Sequence, residues 1–326
     1  MNSVSRIQLG SVEEIQLALQ KLLEVEITQS DPGSVGKTLR SINIGDCLVF
    51  GSSATRAMVY SGRRSEEYWT VTPITRFSAG GRFRGQVLEE GDLLLLDPGG
   101  EVFQQTMEGH SQRAVSIPIA VAERIIGLEH DVDPEPLINR WFRKKAPNTS
   151  MQLDRMLTRL LSGDVSSGIG EDTEAAELAG HVIAMALSGH PLRSLRASLA
   201  NRRRIVTRAE ELMRSRLHSP PSVTELCEAT YSSRRLLFYA FHELLGRSPI
   251  SHLRILRLHA ARRRIRFGHG VTPIQQIAAE LGFPHPGQFA IDYGRLFGES
   301  PRQTRRLWRG EAFTNKIRRP LGDTPQ

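Results

Sequence analysis

Apolar positions recur at helical spacing over residues 12–24, where Ile15, Leu19, Leu22 and Leu23 share one face and predict a short amphipathic helix. From about 38 to 120 the pattern shortens. CLVF (47–50), RAMVY (56–60), YWTVTPITRF (68–77), DLLLLDP (92–98) and RAVSIPIAV (113–121) are separated by Gly, Ser, Asp and Pro. Such segments predict the strands and turns of a small antiparallel barrel or sandwich. Helical patterns return around 135–143, 151–161 and 172–187, with a loop-like run, SGDVSSGIGED, at 162–172. After 204 the chain reads as helical throughout. Ile205, Ala209, Leu212, Met213 and Leu217 form one stripe ended by Pro220-Pro221, and a basic helix at about 249–266 joins two short helix pairs. The expectation is an α+β chain: a β-rich domain with helices over 1–190, a linker over 191–203, an all-α domain over 204–310 and a basic tail over 311–326.

The all-α part repeats itself. Leu237, Phe241 and Leu245 recur as Phe289, Tyr293 and Phe297, and Gly246, Ser248 and Pro249 recur as Gly298, Ser300 and Pro301, each pair 52 residues apart. Upstream, Val223, Leu226 and Cys227 match Ile274, Ile277 and Ala278 at an offset of 51, so one residue is inserted between the helices of the second copy. Each copy reads as a short helix, a tight turn, a second helix and a glycine suited to a left-handed cap. That is a helix-turn-helix, expected near 222–243 and again near 273–297.

Charge adds a reason for this domain to exist. The formal net charge is +8, yet residues 201–326 carry 23 Lys+Arg against 10 Asp+Glu, a net +13, and residues 1–200 are net −5. All cations of the basic part except Lys316 are arginines, which grip phosphate and guanine edges bidentately. An acidic part joined to a basic part suggests two jobs, the second with a polyanion. The longest strictly aliphatic run is Leu93–Leu96, too short to span a membrane, and the N-terminus lacks a basic-then-apolar leader. Two isolated cysteines, Cys47 and Cys227, suit a reducing, cytoplasmic setting without disulfides or structural zinc.

In the first copy Leu237, Ala240, Phe241 and Leu244 form the inward stripe of the second helix, and Arg235, Phe238, Tyr239 and His242 the opposite one. An arginine among aromatics, after Ser233 and Arg234 at the helix start, suits recognition in a major groove. The alternatives are packing of Phe238 and Tyr239 on the linking helix, and phosphate or solvent contact for the arginines. Carried across by 52 residues, the second outward stripe is Gly287, Ala290, Ile291 and Gly294, which offer bases no side-chain hydrogen bonds. Polar capacity there rests on His285, Gln288 and Arg295. The first motif is therefore expected to read bases, and the second to position through phosphate, helix N-terminus and thymine-methyl contacts.

SVTELCEATYSSRRLLFYAFHELLGRSPISHLRILRLHAARR (222–263) and TPIQQIAAELGFPHPGQFAIDYGRLFGESP (272–301) resemble the AraC/XylS family of bacterial transcription regulators over roughly 203–308. GQFAIDYGRLFGESP further resembles the ethanolamine-utilisation regulators. The resemblance implies two recognition helices about one DNA turn apart, with Arg235, Phe238 and Tyr239 base-facing in the first and Gly287, Ala290 and Ile291 in the second. It implies an N-terminal half, often a cupin-like barrel, that senses an effector, dimerises or does both. One residue departs from the family: Tyr231 stands in the first turn where glycine or asparagine is usual, whereas the second has Gly282. A tyrosine at positive φ is strained, so that turn is expected to be rebuilt, with the register of Arg235 at stake.

No cofactor, metal or catalytic residue is expected. His110 and His130 stand alone without the spacing a cupin metal needs, and nucleophile elbows and phosphate-cradling loops are absent. Cys47, in an apolar strand, and His181, in an apolar helix, read as core residues. The partners expected are double-stranded DNA, with RNA polymerase, a small-molecule effector and a second copy of the chain as further candidates. The helices at 151–161 and 172–187 resemble the family's dimerisation region, but their stripes equally suit closure of the N-terminal core. Two other readings compete: a DNA-binding protein whose N-terminal half is only an interaction module, and a cupin-type enzyme fused to such a domain.

Overall fold

A computed structural model of the chain describes residues 3–130, 142–163, 171–187, 197–268 and 272–310. Its N-terminal part is two antiparallel sheets. The larger contains β1 (Ser5–Leu9), β3 (Lys37–Ile44), β4 (Cys47–Ala54), β6 (Tyr68–Pro73), β9 (Asp92–Leu96), β11 (Ser111–Pro118) and β12 (Phe142–Lys145), in the order β1-β3-β4-β11-β6-β9-β12. The smaller contains β2 (Leu23–Gln29), β5 (Met58–Arg64), β7 (Arg82–Phe83), β8 (Gln86–Val87) and β10 (Glu101–Gln105), ordered β2-β5-β10-β7-β8. The expected α+β class, with a β-rich N-terminal and an all-α C-terminal part, is the fold observed.

The Leu93–Leu96 run shows why the larger sheet is apolar on both sides. Leu93 and Leu95 join a cluster with Val71, Val115, Leu153 and Val182, whereas Leu94 and Leu96 pack with Ile74, Phe83 and Leu88 toward the smaller sheet. Successive strand side chains point to opposite faces, so a strand covered twice needs no polar alternation. The outer cover is α2 (Ile119–His130), α3 (Pro147–Ser162) and α4 (Glu171–Leu187). The apolar stripes of α3 and α4, including Leu153, Leu157, Leu161, Val182 and Ile183, are spent in this core. Cys47 is buried there too, and burial pushes its thiol up to about 11.

Several expectations change. The helix expected over 12–24 is α1 (Val12–Leu19), capped by Ser11, and Leu23 already belongs to β2. Residues 142–143, expected in a helix, lie in β12, where Arg143 pairs with Asp92 of β9 at 3.0 Å; residues 135–141 lie outside the described residues. His181 is exposed on α4 instead of buried. The segment expected as linker is helical from Ala197, whereas 191–196 and the tail 311–326 lie outside the described residues.

The C-terminal part is α5 (Ala197–Ser215), α6 (Val223–Thr230), α7 (Arg234–Leu245), α8 (Pro249–Phe267), α9 (Ile274–Glu280), α10 (Pro286–Phe297) and α11 (Pro301–Gly310). It has two cores that share one helix. Leu253 and Leu256 of α8 pack with Leu226, Leu237 and Phe241, and Ala261 and Ile265 of the same helix pack with Ile277, Phe289 and Tyr293. The two cores are thereby tied to one rod, which fixes the second motif relative to the first.

Acidic groups of the N-terminal part meet basic groups of the C-terminal part. Glu101 pairs with Arg203 at 2.7 Å, Glu26 with Arg214, and Glu13 with Arg266. Val59 and Phe103 of the smaller sheet enter the first helical core. At the end of β2, the Gln29 backbone N–H donates to His259 Nε2 at 3.0 Å, and Gln29 Nε2 donates to the Leu296 carbonyl at 2.6 Å. Part of the charge asymmetry therefore serves docking within the chain.

Candidate nucleic-acid interface

Each motif is built from its cap outward. Ser222 and Glu225 form a reciprocal capping box that starts α6. Ser233 Oγ accepts from the Leu236 N–H and starts α7. Leu237, Ala240, Phe241 and Leu244 are buried, so the helical period leaves Arg235, Tyr239 and His242 exposed, with Phe238 half-buried beside them. Tyr239 keeps 54% of its surface exposed. Arg234 stacks its guanidinium over Phe238, 5.6 Å from the ring centroid, and Arg202 of α5 does the same over Tyr239 at 5.4 Å. These stacks pre-orient two cations beside the outward face.

The first turn is not rebuilt. Tyr231 adopts the left-handed conformation itself, with φ 50° and ψ 44°. Its N–H donates to Glu228 O at 3.2 Å, and the Ser232 N–H to Cys227 O at 3.0 Å. In the second motif Gly282 has φ 71°, its N–H donates to Ala279 O at 2.8 Å, and the Phe283 N–H to Ala278 O at 2.9 Å. The two turns are thus the same structure, 51 residues apart, and Arg235 keeps the register expected for it. The strain is tolerated because the Tyr231 ring stays in solvent, 84% exposed, under Arg208 at 5.3 Å.

The second recognition helix presents a different surface. Phe289, Tyr293, Leu296 and Phe297 are buried, and Gly287, Gln288, Ala290 and Ile291 are exposed, as is Arg295 near the C-terminal end. Gly287 has open space where a side chain would stand. His285 occupies the N-cap position without a side-chain cap bond, and Pro286 follows as the first helical residue. Backbone N–H groups at this helix start therefore remain available to an acceptor from outside. Gln288 is partly committed, since its Nε2 donates to Asp292 Oδ1 at 3.1 Å, and Asp292 also pairs with Arg254 of α8.

The outward face of each motif thus gathers the residues expected there, as separate patches on α7 and α10. The inventory of arginines is what sequence reasoning overestimated. Arg262 pairs with Glu299 at 2.8 Å, Arg264 with Glu280 at 2.5 Å, and Arg257 donates to the Leu281 carbonyl, so these hold the fold. Among the described residues, no three His, Cys, Asp or Glu side chains gather as a metal site would require. No described helix is long and apolar enough to cross a membrane.

Residues 226–307 match a family model described as a helix-turn-helix domain. A probable thc operon regulatory protein from Rhodococcus erythropolis is 32% identical over 98 residues, 30% of each chain. XylDLEGF operon transcriptional activator 1 from Pseudomonas putida is 25% identical over 231 residues, 68% of each chain. The first of these matches thus spans less than a third of the relative's own length. An AraC-type regulator structure from Chromobacterium violaceum is 29% identical, with a TM-score of 0.30, covering 32% of this chain and 90% of that one. The AraC-like activator CuxR is 15% identical with a TM-score of 0.38, covering 85% of this chain and 99% of the other. The C-terminal region matches a helix-turn-helix domain, and the relatives it resembles are described as operon regulators and activators.

Proposed function

We propose that this protein is a sequence-specific transcription regulator that lays its two second helices, α7 and α10, into successive major grooves of double-stranded DNA. The observation that carries this is the paired exposure of both outward faces on two cores tied to one linking helix. In α7, Arg235, Tyr239 and His242 read base edges, Phe238 contacts a thymine methyl, and Ser233 and Arg234 meet phosphate. In α10 the N–H groups after His285 and the open surface at Gly287 admit a phosphate, Ile291 and Ala290 offer apolar contact, and Gln288 and Arg295 flank the groove.

The N-terminal part acts as the controlling half. A cavity lies between its two sheets, and β2 runs from that cavity, at Leu23, to the contacts with Arg214, His259 and Leu296. One strand is therefore both a wall of a small-molecule site and a support of the DNA-binding domain. A ligand that moves it would change the population of docked domains, which is the linkage a regulator needs. RNA polymerase and a second copy of the chain fit the same reading as partners. The likeness of the second motif to ethanolamine-utilisation regulators bears on lineage and names no ligand.

Selection of genomic fragments with the full chain, titrated against salt, tests this. Recovery of a shared sequence spanning about two helical turns is expected, with affinity falling steeply with salt as phosphate counterions are released. Arg235→Ala should cost about 1–3 kcal/mol on that sequence and much less on random DNA. Equal losses on both would reduce Arg235 to a phosphate contact, and sequence-blind recovery would reject the reading.

A further inference from the structure

The cavity between the sheets has a volume of about 60 Å³. A single water needs roughly 10–15 Å³ by this measure, so the space holds on the order of four water-sized groups. Its walls are mixed: Leu22, Phe50, Leu94 and Leu96 supply apolar surface, and Lys37 and Arg64 bring two cations. Both cations are buried, at 6% and 8% exposure. Lys37 Nζ donates to the neutral Tyr60 hydroxyl at 2.7 Å, and Arg64 Nη2 to the Thr70 hydroxyl at 2.5 Å. Neither forms an ion pair with a carboxylate among the described residues, and Arg64 Nε and the Thr72 hydroxyl on the same wall have no hydrogen-bond partner.

Two desolvated cations facing one small space without a counter-charge are costly, since burial removes water that nothing replaces. The field from Asp97 reaches Arg64, but Asp97 is bonded by Arg84 at 2.9 Å, and Arg84 itself repels Arg64. Burial drives the Arg64 guanidinium down to about 10, and an anion held beside it would push it back up. His110, in the same wall, adds no charge, since burial lowers it to about 4 and leaves it neutral.

Resting on the reading of the N-terminal part as the controlling half, we propose that this cavity binds a short aliphatic carboxylate. The carboxylate lies between Lys37 and Arg64, and its hydrocarbon end lies against Leu22, Phe50, Leu94 and Leu96. The size of the cavity excludes long acyl chains and fused rings, and its charge excludes neutral sugars and amines as preferred ligands. Arg64 offers a planar fork that matches a carboxylate, and Lys37 adds a point charge to the same group.

Calorimetry and thermal melts of the full chain would use sodium propionate and butyrate, with butyramide and inorganic phosphate as controls. Butyrate should raise the melting temperature and bind roughly tenfold or more tightly than butyramide, a difference of about 1.4 kcal/mol. Lys37→Met and Arg64→Met should abolish that preference. Each should also melt no lower than the wild type without ligand, because each removes a buried unpaired charge. If these variants do not fold, Ser52→Leu fills the cavity and keeps both cations, and should lose butyrate binding. Equal binding of amide and acid, phosphate binding that matches butyrate, or no binding would each overturn the proposal. DNA affinity measured on the same samples separates the two readings. Specific DNA binding without carboxylate binding removes this inference alone, and carboxylate binding without DNA binding removes the regulator.

Discussion

Tyr231 occupies a backbone conformation that its partner in the repeat fills with Gly282. For an L-residue the left-handed region costs roughly 1–2 kcal/mol, and a β-branched side chain fares worse. Tyr231→Gly is expected to raise stability by about 0.5–1 kcal/mol in denaturant titration, the stack under Arg208 offsetting part of the gain. Tyr231→Val should lower stability by at least as much. Unchanged midpoints in both would mean that the turn is not held as described. The sequence shows the departure plainly, but not its resolution. Whether a turn is rebuilt or merely strained depends on the hydrogen bonds on either side, and Glu228 and Cys227 carbonyls hold it here. The arginines pose the same difficulty. Arg235 and Arg262 look alike in composition, yet one is exposed on α7 and the other pairs with Glu299 in a largely buried site. Lys37 and Arg64 were invisible for a related reason. Each carries its charge inward on a strand, and only the pairing of the sheets shows that the inward side is a cavity.

Among the elements, the repeated helical hairpins were legible because their buried stripes follow the 3.6-residue period without interruption. The strands at the start were not. LEVEITQ alternates with period two, and Val25 and Ile27 are buried as that period requires, but Leu22 and Leu23 extend the apparent helical stripe of α1. Similarly, Phe142–Lys145 is too short to show a period, and its register comes from Asp92 and Glu89 across the strand pair. The caps of α7 and α10 offer a paired test of how elements meet. Gly246 and Gly298 are both left-handed, at φ 66° and 70°. A methyl group at Gly246 would meet open space, whereas one at Gly298 would stand 2.5 Å from Ser34 Oγ and 2.8 Å from Ser34 N. Gly246→Ala should therefore cost only the conformational penalty, about 1 kcal/mol. Gly298→Ala should cost more and also increase amide exchange over residues 29–34, by mass-spectrometric readout. Similar losses with unchanged exchange would show that the loop does not rest on α10.

At the scale of the molecule, the joint between the two parts turns on one neutral imidazole. His259 Nε2 accepts the Gln29 N–H, so the docked state requires this ring unprotonated. Burial lowers it to about 3, and Arg262, Arg263 and Arg214 push the same way. In the unfolded chain an ordinary histidine titrates near 6.5. Between those values the unfolded state holds a proton that the native state refuses, so stability rises with pH across the interval and is lost as pH falls below about 6.5. His110, lowered to about 4, contributes with the same sign. The loss between pH 6.5 and 5 should therefore belong to the imidazoles. His259→Gln retains an acceptor that does not titrate, and its urea midpoint should fall less steeply than the wild type's over that range. Amide protection at Gln29 should decline in the wild type as pH falls, after correction for intrinsic exchange, and hold in the variant. Parallel slopes for the two proteins would place the acid sensitivity elsewhere and leave the joint indifferent to the charge on His259.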